Sequence, residues 1–423
     1  MKVRAARSFR GTFGMPGDKS ITHRAFLFGA LAEGITTIEA ASRGDDCTST
    51  RRCLEALGVR IDSDPDGSIK VHGAEELRPT PAPLDCGNSG TTLRLLMGLL
   101  AGSSVEAELA GDESLNRRPM ERVAKPLRLM GARIETANGR PPVRVLGSRL
   151  RGAAVTPEAA SAQIKSAILL AALGAQGTTT IDEPIRTRDH TERMIQSFGG
   201  AIRQRGTRIE LDGPQRLRGT RVFVPGDPSS AAPFIVAALV LRDSEVIIEG
   251  VLLNPHRVLY LDVLRSMGAS IETEITSTAG GEPHGRIVAR SSELRGVSLS
   301  PENVPALVDE LPILAVAGAF AGGTFDVRGA SELRVKESDR IASTVEGLQA
   351  MGARIEERED GFSVQGGGGL KGASVRSQGD HRIAMALSIA ALGAHGDSEV
   401  LGAEVVSISL PAFFDELRRG TGA

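Results

Sequence analysis

Hydrophobic positions fall into a pattern that recurs along the chain. Six runs, residues 25–31, 92–100, 164–173, 231–241, 311–320 and 383–392, are apolar on nearly every side. A helix without a polar face is one that the fold buries, so these runs predict six buried helices. A β-type segment precedes each, as at residues 221–224, and a short one follows, as at 178–181 and 245–248. Then comes a charged, amphipathic segment that ends in glycine, at Gly58, Gly131, Gly268 and Gly352. Glycine suits the left-handed residue that closes a helix. Hairpin turns are predicted at Asp66-Gly67, Asn138-Gly139 and Asp360-Gly361.

A second marker has the same period. Phe9-Arg10-Gly11, Leu150-Arg151-Gly152, Leu217-Arg218-Gly219, Leu294-Arg295-Gly296 and Leu370-Lys371-Gly372, with the degenerate Leu77-Arg78-Pro79, lie about 70 residues apart. That spacing suits a small α/β unit rather than a solenoid repeat. The unit reads strand, buried helix, strand, outer helix, hairpin, and it occurs six times. The last copy ends in its outer helix, at 411–418, without a hairpin, and residues 2–14 look like the missing piece. Both termini then share one domain. The expected division is 1–17 plus 226–423 as a discontinuous domain and 18–225 as an inserted one, each α/β and built of three repeats.

The polar residues that open the buried helices carry the candidate chemistry. They are Asp18-Lys19-Ser20, Gly87-Asn88-Ser89-Gly90-Thr91, Ser161-Ala162-Gln163, Gly226-Asp227-Pro228-Ser229-Ser230, Asp309-Glu310 and Gly379-Asp380-His381-Arg382. Free N–H groups and the dipole at a helix N-terminus favour an anion. Lys19, Arg24 and Arg382, the small Gly90 and the hydroxyls of Ser20, Thr91 and Ser161 suit such a ligand. Arg117-Arg118, Arg186 to His190 and the segment from Arg334 to Arg340 add charge, although each alone reads equally well as a solvated surface.

Composition narrows the classes. A formal charge of −2 gives no reason to expect nucleic acid or an acidic membrane as partner. The three cysteines, Cys47, Cys53 and Cys86, show no metal-ligand spacing and fit a reducing compartment. No secretory signal or membrane span is read, so a cytoplasmic location is expected. No Walker A pattern, nucleophile elbow or zinc-protease motif occurs. Gly367-Gly368-Gly369-Leu370-Lys371-Gly372 matches a dinucleotide fingerprint in form, but it opens no helix and reads as a turn. No cofactor and no metal are expected.

Taken in order, Pro16-Gly17-Asp18-Lys19-Ser20, Gly87-Asn88-Ser89-Gly90-Thr91, Ser161-Ala162-Gln163, Arg334-Val335-Lys336-Glu337-Ser338-Asp339-Arg340 and Gly379-Asp380-His381-Arg382 resemble the EPSP synthase family over the whole chain. The resemblance implies the inside-out α/β barrel of enolpyruvyl transferases, with the active site in a cleft between the two domains. It implies transfer of the enolpyruvyl group of phosphoenolpyruvate to the 5-hydroxyl of shikimate 3-phosphate. It also gives residues their roles. Lys19, Ser20, Arg24, Ser161, Ala162, Gln163, Arg188, Asp309 and Lys336 would hold shikimate 3-phosphate. Lys19, Gly90, Arg118, Gln163, Arg340 and Arg382 would hold phosphoenolpyruvate. Asp309 would be the proton acceptor, with Glu337 or Lys19 protonating the methylene carbon. In the family glyphosate occupies the phosphoenolpyruvate space, and a monomer is expected. One departure is visible: the lysine that many members carry before the final Pro-x-Phe is absent from Ser407-Ile408-Ser409-Leu410-Pro411-Ala412-Phe413.

Two relatives in chemistry compete. The sister transferase acting on UDP-N-acetylglucosamine carries a reactive cysteine where this chain reads Gly111-Asp112-Glu113-Ser114-Leu115-Asn116-Arg117-Arg118, and an Asn where Ser20 follows Lys19. An RNA-processing cyclase would show a basic face. A non-catalytic repeat scaffold would have no use for cations and carboxylates at its helix starts.

Overall fold

The computed structural model describes residues 1–422. Among them the strands form six small sheets, four of four strands and two of three. The six buried helices, numbered here in chain order, are α1 (Lys19–Leu31), α2 (Gly90–Ala101), α3 (Ala162–Ala172), α4 (Pro228–Val240), α5 (Leu311–Phe320) and α6 (His381–Leu392). Most start two to six residues earlier than the apolar runs predict, because the polar openings are themselves helical. The outer helices are amphipathic, and Gly58, Gly131, Gly268 and Gly352 follow four of them with φ of 89°, 95°, 98° and 84°. A Cβ is strained there, which explains the recurrent glycine. The three expected hairpin turns lie between antiparallel strands.

The chain divides into two units. The terminal unit comprises Met1–Pro16, Pro225–Thr278 and Pro283–Ala423; the inserted unit comprises Gly17–Val224 and Ala279–Glu282. The crossings thus lie one residue before those expected. The four-residue group Ala279–Glu282, at the turn between strands Ser270–Ser277 and His284–Arg290, belongs with the inserted unit, which no sequence signal indicated.

Strand pairing departs from the simple repeat at two places. In most copies the strand that leads into a buried helix pairs in parallel with the strand that follows it, as Ala154–Val155 does with Gly177–Asp182 and Ser374–Arg376 with Ser398–Leu401. The first and fourth copies exchange these strands. Arg10–Gly14 pairs with Glu245–Leu252, and Arg221–Phe223 pairs with Ile35–Glu39. Residues 2–14 therefore do two jobs. Lys2–Val3 completes the last sheet by pairing antiparallel with Ser398–Leu401, whereas Arg10–Gly14 belongs to the fourth copy.

Each unit buries its own core around its three helices. In the terminal unit Phe9, Phe13 and Phe234 stack, with Phe9 and Phe13 at 5.4 Å between centroids, and Phe413 of the last helix closes on Phe234. In the inserted unit Phe28 and Phe198 meet at 5.6 Å between centroids, both fully buried. Burying large apolar side chains contributes about 1.5–3 kcal/mol each. The helix starts, which carry the polar groups, are thereby fixed on rigid elements.

Candidate active site

The inserted unit brings three helix starts together. Asp18 caps α1 by accepting from the Ile21 N–H at 2.8 Å, and Ser89 caps α2 by accepting from Thr92 N–H at 3.1 Å. Ser161 precedes α3 but its side chain makes no capping bond, so its hydroxyl and the first N–H groups of α3 are not committed to each other. Lys19 opens α1 and lies 2.7 Å from Asp46 Oδ2, with 19% of its side chain exposed.

Beside them is a network of guanidinium and amide groups. Arg94 Nη1 donates to Gln163 Oε1 at 2.6 Å, and Gln163 Nε2 donates to Thr91 Oγ1 at 2.9 Å. Arg118 is buried and donates through Nη2 to Asn88 Oδ1 at 2.7 Å and Ser114 Oγ at 3.2 Å. Gly90 lies against both arginines: a Cβ built on it would stand 2.9 Å from Arg94 Nη1 and 3.2 Å from Arg118 Nη1. The structure thus gathers Gly90, Gln163 and Arg118 as the sequence implied. It adds Arg94, one helical turn after Gly90 on the same face, which the apolar reading of residues 92–100 passed over. That i, i+4 spacing was the available signal.

Arg24 lies deeper, 3% exposed. It donates to Ser20 O at 2.8 Å, Thr191 Oγ1 at 2.8 Å and Ser166 Oγ at 2.6 Å. Burial, opposed by the charges of Glu192 and Asp18 and aided by that of Arg188, brings its pKa down to about 10. Arg188 is therefore close to Arg24, on the segment before the helix His190–Ser197. Ala162 is the first residue of α3 and its carbonyl accepts from Ser166 Oγ. Behind the helix starts His23 Nδ1 meets Thr50 Oγ1 at 2.6 Å, Thr50 meets Thr92 Oγ1 at 2.7 Å, and Thr92 reaches Ser89. Burial, opposed by Asp46, brings the His23 pKa down to about 3, so this network is neutral.

The terminal unit is organised around one cation, Arg340, 1% exposed. Its Nε donates to Asp380 Oδ2 at 2.8 Å, Nη2 to Glu337 Oε2 at 2.7 Å and Nη1 to Asp309 Oδ1 at 3.2 Å. Burial disfavours the guanidinium's charge, but Asp380, Glu337 and Asp309 outweigh it and drive its pKa well above the usual range. Asp380 also caps α6 through the Arg382 N–H at 2.8 Å. Arg382 Nη1 donates to Ser229 O at 3.3 Å, and Lys336 Nζ lies 3.2 Å from Glu332. Asp309 does not cap α5: Glu310 occupies that position and makes no side-chain capping bond. Glu310 is buried and accepts from the Ser229 hydroxyl. Asp380 was read only as a helix start, and its part in this clamp was missed. Among the described residues no group of three or more His, Cys, Asp or Glu could hold a metal ion, and no helix is long and apolar enough to cross a membrane.

This architecture, two units of three α/β repeats, is that of the enolpyruvyl transferases: the chain matches NikO, an enolpyruvyl transferase from Streptomyces tendae, with a TM-score of 0.78 over 99% of this chain and 96% of that one at 19% identity. A structure of EPSP synthase from Acinetobacter baumannii matches more closely, with a TM-score of 0.87 and 41% identity over 99% of this chain and 97% of that one. The model of the family EPSP synthase (3-phosphoshikimate 1-carboxyvinyltransferase) matches residues 3–417. The 3-phosphoshikimate 1-carboxyvinyltransferases of Carboxydothermus hydrogenoformans and Desulforamulus reducens are 48% and 45% identical, over 99% and 98% of this chain and 99% and 98% of theirs. The chain belongs to the EPSP synthase family. Its activity is the transfer of the enolpyruvyl group of phosphoenolpyruvate to shikimate 3-phosphate, a step of aromatic amino acid biosynthesis by the shikimate pathway.

Proposed function

We propose that both clusters serve this reaction, each supplying cations for the substrate anions, with the proton-accepting carboxylate in the terminal unit. The observation that carries this reading is the Arg340 clamp. It fixes Asp309 and Glu337, the two carboxylates with assigned proton chemistry, on one guanidinium. Pairing with the guanidinium favours the ionised form of both carboxylates, which suits Asp309 as a base. Asp309 takes the proton of the 5-hydroxyl as its oxygen bonds to C2 of phosphoenolpyruvate. Glu337 or Lys19 protonates the methylene carbon. Loss of the phosphate by carbon–oxygen cleavage, and of a proton from the new methyl group, gives 5-enolpyruvylshikimate 3-phosphate and phosphate.

Arg118, Gly90, Gln163 and Lys19, with Arg340 and Arg382, hold phosphoenolpyruvate. Ser20, Arg24, Ser161, Ala162, Gln163, Arg188 and Lys336, with Lys19 and Asp309, hold shikimate 3-phosphate. Arginine's planar fork matches carboxylate and phosphate, which supports this distribution. The protein acts as a cytoplasmic monomer without cofactor, a reading that sedimentation of the purified chain tests. Phosphate release that requires both substrates, and is lost in Asp309→Ala, is the expected result. Release that continues unchanged in Asp309→Ala overturns the assignment.

A further inference from the structure

Behind the helix starts of the inserted unit lies a buried set of charges to which the reaction gives no role. Lys165, on α3, is wholly buried, with its Nζ 2.7 Å from Glu192 Oε1 and 3.1 Å from Glu183 Oε2. It also lies 3.4 Å from Thr187 O, and the Thr187 hydroxyl donates to Glu183. Glu183 directly follows the strand Gly177–Asp182, and Glu192 lies in the first turn of the helix His190–Ser197. One ammonium therefore pins the beginning, middle and end of the connection that carries Arg188.

The neighbours in sequence extend the arrangement to Arg24. Thr191, beside Glu192, accepts from Arg24 Nε; Ser166, beside Lys165, accepts from Nη2; and the two hydroxyls are 2.6 Å apart. Lys165 is thus offset by Glu183 and Glu192, and Glu192 also acts on Arg24. Burial raises the Glu192 pKa, and Lys165 acts against that rise. A side chain selected only to fill this space would be apolar, since desolvating an ammonium and two carboxylates gains nothing over a hydrophobic side chain of equal volume.

We propose that Lys165 is a positioning residue for the binding of shikimate 3-phosphate: it holds residues 183–191 so that Thr191 fixes Arg24 and Arg188 is presented beside it. The proposal rests on the reading that Arg24 and Arg188 hold that substrate. Lys165→Met alone strands two buried carboxylates and disturbs folding. The informative variants are Lys165→Met with Glu192→Gln, which removes the ammonium together with one of its two carboxylates, and Thr191→Val, which removes the hydroxyl that meets Arg24 and Ser166 while leaving Lys165 and its carboxylates in place.

The measurements are calorimetric titration with shikimate 3-phosphate, steady-state kinetics, and amide hydrogen exchange over residues 183–191. Both variants are expected to bind shikimate 3-phosphate at least about tenfold more weakly. Their kcat at saturation and KM for phosphoenolpyruvate should stay within about threefold of wild type, and the double variant should exchange faster in the connection. A purely structural role would instead lower the active fraction and leave the affinity of the remaining folded protein intact. Wild-type affinity in both folded variants overturns the proposal. A wild-type protein that binds no shikimate 3-phosphate overturns the underlying reading as well.

Discussion

The two clusters of helix starts come from the same repeat, yet their cations keep opposite company. In the inserted unit Arg118 donates to an amide and a hydroxyl, Arg94 to an amide, and Arg24 to hydroxyls and a carbonyl. In the terminal unit Arg340 is surrounded by three carboxylates. Neutral partners of this kind orient a guanidinium without offsetting its charge. Carboxylate partners offset it, and two of those around Arg340, Asp309 and Glu337, are the groups proposed above for proton transfer. The lysines of the inserted unit differ from its arginines, Lys19 pairing with Asp46 and Lys165 with Glu183 and Glu192. On the proposed function, the same repeat serves anion binding or proton transfer according to what surrounds its arginines.

The sharpest way to break this comparison is Asp309→Ala. Turnover should fall by about 10²–10⁴-fold while affinity for shikimate 3-phosphate stays near wild type, since a general base contributes mainly in the transition state. Because Asp309 caps no helix, the melting temperature should move little. A variant with weakened binding and intact kcat would assign this cluster to anion binding and erase the distinction.

Arg118→Ala should show the complementary split. Losing a charge-assisted bond costs about 1.5–3 kcal/mol, which corresponds to about 10–100-fold in KM for phosphoenolpyruvate. Arg118→Lys should recover little, because lysine lacks the planar guanidinium, whose fork matches carboxylate and phosphate while Nη2 meets Asn88 and Ser114. Steady-state kinetics of both variants, with kcat falling instead of KM rising, would count against the anion role.

Gly90→Ala is a gentler probe. The added methyl meets the ends of two flexible side chains, Arg94 at 2.9 Å and Arg118 at 3.2 Å, which must give way. Inhibition by glyphosate should weaken by on the order of tenfold, about 1.4 kcal/mol, with a smaller rise in KM for phosphoenolpyruvate. Equal inhibition constants in a folded variant would show that the two arginines do not line the inhibitor's space.

The smallest effect at neutral pH concerns His23. The folded protein keeps it neutral down to about pH 3, whereas the unfolded chain protonates near the ordinary 6.5. Falling pH then favours the unfolded chain, so stability is lost from about pH 6.5 down to 3, at up to about 1.4 kcal/mol per unit. Denaturation of wild type and His23→Gln across this range should show a shallower slope in the variant. Parallel slopes would mean that the cation-rich cluster tolerates another buried charge.

Most site candidates came only from the family resemblance, whereas the repeat and the six buried helices were legible because each is a local pattern: an apolar run, a glycine after a helix, a polar opening. Arg94 and Lys165 were not, since single cations inside runs otherwise apolar do not disturb the periodicity, and their partners lie 69, 18 and 27 residues away. Asp46 and Asp380 were visible as charges, but what they clamp depends on tertiary packing. The strand exchange was also hidden. Arg10–Gly14 and Arg221–Phe223 carry the same marker as the other leading strands, and nothing local says which sheet each will join.

That exchange bears on how such a chain could arise and be taken apart. The Asp227 N–H donates to Pro16 O at 2.8 Å, so the two ends left by removing residues 17–224 already touch. At the ends of the removed piece, a Cβ on Gly17 would stand 3.0 Å from Val224 Cγ1. All three sheets of that piece are complete within its own continuous chain, Arg221–Phe223 included. Gly17–Val224 thus has adjoining ends, and the chain on either side of it is already linked by a hydrogen bond. On the proposed function, recombination between homologues at these two junctions would exchange the candidate anion-binding residues Lys19, Gly90, Arg118 and Gln163 as one block, leaving Asp309 and Glu337 in place.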